Sequence, residues 1–450
     1  MTIYRVRSTD GNNADSGATW ALAKADLHTP TWAAGDTIWS SQAHAQGPTA
    51  GAVTIALNGT LASPTSLICV DDSADPATAT ATTASVSTSG TNSITLTGSG
   101  AIFGHLFAAG SGSSTANVNF ATVDQNAQHY TSCAFTIANT SASSGIVCGS
   151  VNSGSESRVS WDNCTVKFGA VGQTIKPAQC KFFWRGGGLD GAGASPTNLI
   201  SIQLDQADIL VDGVDLSSGA TTLNIFSSSA LGAGTAKIRG SILPPSWTGD
   251  LGTPTGYNTR FELWYCSSGS TLYKMWISDY AGTVKIDTGV YANDGAVDGS
   301  EHVSWRMTTS ANASYPLIRL VSPEIQRWYA NAGTAVTVEV EIMHDGAAAL
   351  KNDEIALELE FFDTSGKYKT AFADDFKSSP LAAGAAKGAG SSSGWTGASG
   401  TGPNGTSTWN SLKLSKTITP QVAGYIVARV VMTKPGPYTA FIDPKLRGWT

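Results

Sequence analysis

One short phrase keeps returning along the middle of the chain, and it limits the folds open to it. Between Gln128 and Leu243 the sequence reads His-Tyr-Thr-Ser-Cys133-Ala-Phe-Thr-Ile, then Ser-Trp-Asp-Asn-Cys164-Thr-Val-Lys-Phe, then Pro-Ala-Gln-Cys180-Lys-Phe-Phe-Trp. It goes on as Ile-Leu-Val-Asp-Gly213-Val-Asp-Leu and Ala-Lys-Ile-Arg-Gly240-Ser-Ile-Leu. Each time a small residue follows a polar pair and precedes an alternating apolar strand. Cys180 falls at a half step; otherwise the spacing is about thirty residues, with a second strand in most gaps.

A repeat of this length, holding two or three short strands, cannot bury its apolar side alone. It buries it against the next copy, and the copies stack. The expectation is a parallel β-helix, with Cys133, Cys164, Gly213 and Gly240 near one line down the stack and cysteine acting there as a small hydrophobe. The rival is a large antiparallel sandwich of short strands between Gly/Ser turns.

Composition agrees with stacked coils. Charged residues are 14% of the chain, against roughly 25% in ordinary globular proteins. Gly accounts for 49 residues, and 41% hydrophobic content still permits a core. The net charge of −7 lacks the basic footprint of a nucleic-acid binder. No stretch approaches the roughly 18 apolar residues of a membrane span, so no membrane insertion is expected. The opening MTIYRVRSTDGNN lacks the apolar core of a signal peptide. Six cysteines occur without a CxxC pair, which argues for buried free thiols and against a zinc site. A stacked disulfide between coils stays open. No nucleotide-binding loop is present, and neither a metal nor a cofactor is expected.

Taken in order, residues 1–50 read as a cap with the first coil. Asp15 or Ser16 is placed to N-cap a short helix running to about Leu27, with Ala18, Ala21, Leu22 and Ala25 on one stripe. Such a helix would cover the open end of a solenoid. His28 and His44 read as surface residues, and Asp71-Asp72 as a solvated turn. Residues 51–250 form the parallel β-helix, and Trp184-Arg185-Gly-Gly-Gly188 reads as a loop interrupting it. Residues 251–315 are either its last coils or a transition sheet. Residues 316–450 alternate with period two in five or more segments, as expected for an antiparallel β-sandwich. The fold class is therefore all-β: an N-terminal right-handed parallel β-helix with a short capping helix, then a C-terminal antiparallel β-sandwich.

Candidate functional residues are few. The densest acidic cluster is Asp205, Asp208, Asp212 and Asp215. On one strand Asp208 and Asp212 share a face, and clustered carboxylates are what glycan hydrolysis requires. No Lys or Arg stands near them in sequence, and a polar outer face is the plainer reading. Trp184 with Arg185, and Trp395 with Trp409 beside a Gly/Ser/Ala-rich segment, are candidates for a contact surface.

The capped β-helix, the C-terminal sandwich, the absence of a signal peptide and the Gly/Ser/Thr-rich, low-charge sequence together resemble the β-helical structural proteins of tailed-bacteriophage virions. No single motif carries that resemblance. It implies a homotrimer located on the virion, in contact with capsid or tail proteins. It also leaves a host surface glycan as a possible partner. The β-helix begins close to residue 1, which favours a non-enzymatic decoration or tail-associated accessory protein. The alternative is a carbohydrate-active β-helix, either a glycan depolymerase or a glycan-binding adhesin, with Asp205, Asp208, Asp212 and Asp215 as the acids. A bacterial surface adhesin is a third reading, disfavoured by the missing export signal.

Overall fold

The computed structural model describes most of residues 2–269 and, beyond them, a series of strands up to residue 449. Residues 122–125, 150–156, 205–206, 230–233 and 254–258 lie outside the description, as do the segments between the later strands, among them 289–302 and 370–399. The chain is all-β, with parallel sheets of the β-helical kind. It divides into two compact units, Met1–Ser246 with Cys266–Thr271, and Trp247–Tyr265 with Leu272–Thr450.

In the first unit each lap of chain lays down strands on three faces. The first face stacks Ile3–Val6, Thr37–Ser41, Thr65–Val70, Gly100–Phe103, Ala127–Thr131, the start of Arg158–Lys167, the start of Lys181–Leu189, Ala207–Asp212 and Gly234–Arg239, all parallel and in register. The second face stacks Ala45–Thr49, Ala84–Thr88, His105–Ala109, Ala134–Ile137 and the later halves of the two long strands. The third runs from Val53–Ala56 through Ile94–Thr97, Val118–Ala121, Gly145–Gly149, Thr174–Ala178 and Asn198–Ile202 to Asn224–Ser228. Alternate residues point inward, which is why the strands carry the period-two pattern.

The bend between the first and second faces explains the recurring phrase. At the same position in successive laps stand Gly104, Ser132, Asn163, Gly186, Gly213 and Gly240, all left-handed, with φ from 52° to 73°. The next residue in each lap turns inward: His105, Cys133, Cys164, Gly187, Val214 and Ser241. Cys133 and Cys164 therefore share one line, while Gly213 and Gly240 lie on the line beside it. The single expected line is corrected to two adjacent ones, because the glycines supply the bend and the cysteines fill the space behind it. Cys180 belongs to neither. It follows left-handed Gln179 at the corner leading into the first face, its Sγ 3.3 Å from Cys148 O.

The segment expected as a loop, Trp184 to Gly188, lies within the strand Lys181–Leu189. Its glycines make the bend of that lap. A Cβ on Gly187 would sit 1.9 Å from Cys164 O, so the laps close up there only because no side chain intervenes.

The interior of the central laps is aromatic. Phe120, Tyr130, Phe135, Trp161, Phe182 and Trp184 are fully buried and contact one another edge-on or tilted, with centroids 4.7–5.7 Å apart. Each such side chain removed from water contributes about 2–3 kcal/mol. Buried polar groups are threaded between laps. Gln128 donates to Leu96 O and Gly98 O and accepts from Tyr130 Oη. Gln173 donates to Asn139 O at 2.8 Å. All six cysteines are buried and unbridged.

The capping helix is not found; only a single 3-10 turn, Trp20–Leu22, occurs there. Gly17 is left-handed, Thr19 makes no side-chain cap, and the backbone of this segment is taken up by the edge strand instead. Arg5 N donates to Gly17 O, Arg7 N to Lys24 O, and Lys24 N to Arg5 O. The open edge is thus paired with an irregular strap, held down by Trp20 and Ala23 against Val70. His44 is also corrected: it is 1% exposed, inside the stack.

In the second unit the strands pair antiparallel. Thr283–Thr288 pairs with Val303–Thr309, which pairs with Tyr438–Ile442. Val336–Asp345 pairs with Thr408–Ile418, and Gly424–Met432 with both Ile355–Asp363 and Ile318–Val321.

Candidate functional site

The outward residues of the first face form columns whose members are one rung, about 4.8 Å, apart. One column reads Thr131, Asp162, Arg185, Asp212, Arg239. The column two residues earlier reads His129, Ser160, Phe183, Leu210, Lys237, and the next Ala127, Arg158, Lys181, Asp208, Thr235. Acids, bases and an aromatic ring, scattered over more than a hundred residues of sequence, thus share one side of the stack.

Asp162 is central to the upper half. Its Oδ2 lies 3.2 Å from His129 Nε2, and its Oδ1 lies 3.6 Å from the Arg185 guanidinium, an ion-pair distance too long for a hydrogen bond. Asp212, two rungs on, accepts from Arg239 at 2.7 Å, and that carboxylate raises the Arg239 pKa above its usual value. Phe183 lies on the outer side, with the guanidinium carbons of Arg158 and Arg185 at 5.7 and 5.4 Å from its ring centroid. Such contacts hold a guanidinium at an exposed site by about 0.5–1 kcal/mol.

The sequence-predicted residues divide. Asp208 and Asp212 face outward from one strand, as their parity requires, with buried Ile209 and Val211 between them. Asp215 follows the Gly213 bend, is exposed, and accepts from Ser217 N in a local turn. Asp205 lies outside the described residues. Cations do stand near this cluster, contrary to the linear reading: Arg185 and Arg239 flank Asp212, and Lys181 is the rung partner of Asp208. Arg185 is exposed in the ladder. Trp184 is not a contact residue, since it is fully buried with Nε1 donating to Cys164 O at 3.2 Å. Its neighbours Phe183 and Arg185 take the outward positions, which leaves Trp184 the inward one. Trp395 lies outside the described residues; Trp409 is on a strand opposite Asp345, and its side chain is outside the description.

Sequence reasoning missed Asp162, His129 and Arg158. The available signal was spacing: Asp162, Arg185, Asp212 and Arg239 immediately precede the successive bends. It also missed the part played by Asp72, which accepts from Ser41 Oγ at 2.7 Å and pairs with Arg7 at 3.3 Å, while Asp75 pairs with Arg5. These carboxylates fasten the loop after Val70 to the edge strand. Among the described residues no three His, Cys, Asp or Glu side chains are grouped to hold a metal ion.

No protein family matches the sequence, and no curated protein does. Among solved structures the chain is similar to the enzymatically active domain of bacteriophage CBA120 tailspike protein 4. The match has 10% identity, covers 92% of this chain and has a TM-score of 0.22. The chain spans 64% of the length of that solved chain. The expectation of a non-enzymatic chain is corrected at this point: the solved structure found is an enzymatically active domain. At that degree of likeness no residue role passes from one chain to the other.

Proposed function

We propose that the chain is a carbohydrate-active β-helix of a phage particle, which binds a surface polysaccharide along the first face and cleaves it. The observation that carries this reading is the placement of Asp162 and Asp212. Both face outward in one column with Arg185 between them, so their rungs are about 9.6 Å apart. That rung spacing stands at the upper limit of the roughly 6.5–9.5 Å between carboxyl groups that suits inverting glycoside hydrolysis, in which a water fits between one of them and the sugar.

In that reaction one carboxylic acid gives its proton to the glycosidic oxygen as the bond from the anomeric carbon breaks. The other carboxylate takes a proton from the water whose oxygen forms the new bond. Asp162, with His129 at 3.2 Å, has a partner that can exchange a proton with it. Asp212 accepts from Arg239 at 2.7 Å, which fixes the position of its carboxylate for the part of the base. Asp208, on the same strand, extends the polar surface along the glycan.

The same reading takes the coil as right-handed, the hand that parallel crossovers adopt, and the antiparallel strands of the second unit as a sandwich. It carries a virion location, contact with capsid or tail proteins, and assembly as a trimer, supported by the likeness of architecture to β-helical virion proteins. The test is incubation of the protein with an array of purified bacterial surface polysaccharides, read by new reducing ends and by chain length. Shortening of one polymer, abolished by Asp162→Asn or Asp212→Asn, is the expected result. Cleavage that persists in the double variant removes the two carboxylates from the mechanism. The absence of both binding and cleavage across the whole array would overturn the reading.

A further inference from the structure

The ladder that carries the proposed acids also carries a cation, Arg158, with which no acid among the described residues is paired. Arg158 is exposed. Its rung neighbours are Ala127 on one side and the like-charged Lys181 on the other. Its one described side-chain contact is the Phe183 ring at 5.7 Å, which Arg185 approaches from its own strand at 5.4 Å. Arg185 is only loosely held by Asp162, at 3.6 Å. Two guanidinium groups therefore converge on one outward aromatic ring, in a chain whose overall charge is −7.

We infer that Arg158, Phe183 and Arg185 form a subsite for an acidic sugar, a carboxylate-bearing unit within a polysaccharide. This rests on the glycan reading above and narrows it to an anionic polymer. The chemistry of each part fits. The guanidinium fork matches the two oxygens of a carboxylate, and a second fork beside it strengthens the hold. The face of Phe183 offers an apolar platform for the C–H side of a sugar ring. A neutral sugar gains nothing from an uncompensated cation, and Arg158 lies on the opposite side of Phe183's column from Asp162 and Asp212. The Arg158 end of the subsite is thus set apart from the charge of Asp162 and Asp212, while Arg185 stands between those two carboxylates.

The experiment is a fluorescence-polarisation titration of the full chain with three labelled polymers: oligogalacturonate, dextran sulfate and neutral dextran. Oligogalacturonate is expected to bind at least tenfold more tightly than dextran, with affinity falling as salt rises. Arg158→Gln is expected to lower that affinity about tenfold and Arg158→Lys by less, while Lys167→Gln on the second face leaves it unchanged. Arg158 is exposed, so near-ultraviolet dichroism should match that of the parent chain. Tighter binding of dextran sulfate than of oligogalacturonate would overturn the carboxylate assignment. Equal binding of all three, or no effect of Arg158→Gln, would overturn the acidic subsite while leaving glycan binding intact. Failure of all three probes to bind, with a neutral polymer bound on the polysaccharide array, would likewise overturn the subsite alone. Failure on the array as well would remove the parent reading.

Discussion

Trp161 and Trp184 occupy successive rungs of one interior column, their rings 5.5 Å apart and inclined at 73°, yet only Trp184 has a partner for its indole N–H. Trp184 donates to Cys164 O, whereas Trp161 Nε1 is buried without an acceptor. The two are alike in size and burial, so they separate the worth of the hydrogen bond from that of the packing. Trp184→Phe is expected to cost about 1 kcal/mol more than Trp161→Phe, because it also strands a buried carbonyl. Either change to Ala should cost about 3–5 kcal/mol. Urea denaturation followed by tryptophan emission measures the difference, and equal losses for the two Phe variants would refute the argument.

The bend column and the line beside it give a sharper contrast. Gly213 has φ 63° and open space where a Cβ would go, while Gly187 has φ 73° and Cys164 O at 1.9 Å. Gly213→Ala should therefore cost only the left-handed strain, about 1–2 kcal/mol. Gly213→Asn should cost less, since Asn163 holds the same bend with φ 53°. Gly187→Ala must force two laps apart and is expected to abolish soluble expression. Melting temperatures of the two Gly213 variants, with the soluble yield of Gly187→Ala against that of the parent chain, decide the ranking.

Acid should loosen the upper laps. His44 and His105 are buried, and loss of hydration lowers their pKa values to about 4 and about 3. His44 also discourages the charging of His105, lowering its pKa further. Their neutral forms are favoured by the fold. The stability they contribute is complete above the unfolded value of about 6.5 and is lost as pH falls toward 4 and then 3. Changing His105→Gln, which cannot charge, should shift the acid-unfolding midpoint to lower pH relative to its neutral-pH stability. An unshifted midpoint would assign acid unfolding to the carboxylates alone.

The loop after Val70 should behave as a latch. Asp72 joins Ser41 and Arg7, and the loop backbone closes through Asp71 N to Ala79 O and Ala81 N to Cys69 O. Asp72→Ala is expected to speed amide exchange at Asp71 and Ala81 while lowering global stability by about 1 kcal/mol or less, as for other partly exposed pairs. Exchange measured by mass spectrometry on peptides spanning residues 66–84 would show it. A uniform increase along the whole first unit would contradict a local role.

Much of this was readable from the residues. Alternation fixed which side chains turn inward, and it correctly paired Asp208 with Asp212. What misled was the equating of cysteine with glycine as one small position. Ser132 and Asn163 carry the left-handed bend without being glycine, so the bend was hidden in the polar pair and its neighbour was taken for it. Lys181-Phe-Phe-Trp184-Arg185 was ambiguous for a different reason: with aromatics at adjacent positions, either parity buries a large ring. Asp162 and Arg158 were invisible because their significance comes from residues one lap away. The helix stripe at Ala18 to Ala25 was real as a pattern, but the unpaired edge strand claimed that backbone first.

From Phe103 onward the residue count between the first and second faces is constant, after two earlier laps in which it is larger. Phe103 leads to Leu106, Thr131 to Ala134, Asp162 to Thr165, Arg185 to Gly188 and Asp212 to Asp215, each pair matching the one before and after it. In those later laps, inequality in circuit length is confined to the other connections. A gene for such a chain can therefore gain or lose a complete circuit by recombination at this bend, with every junction meeting identical backbone. The order of outward charges would then change by whole units, as beads are added to or taken from a string.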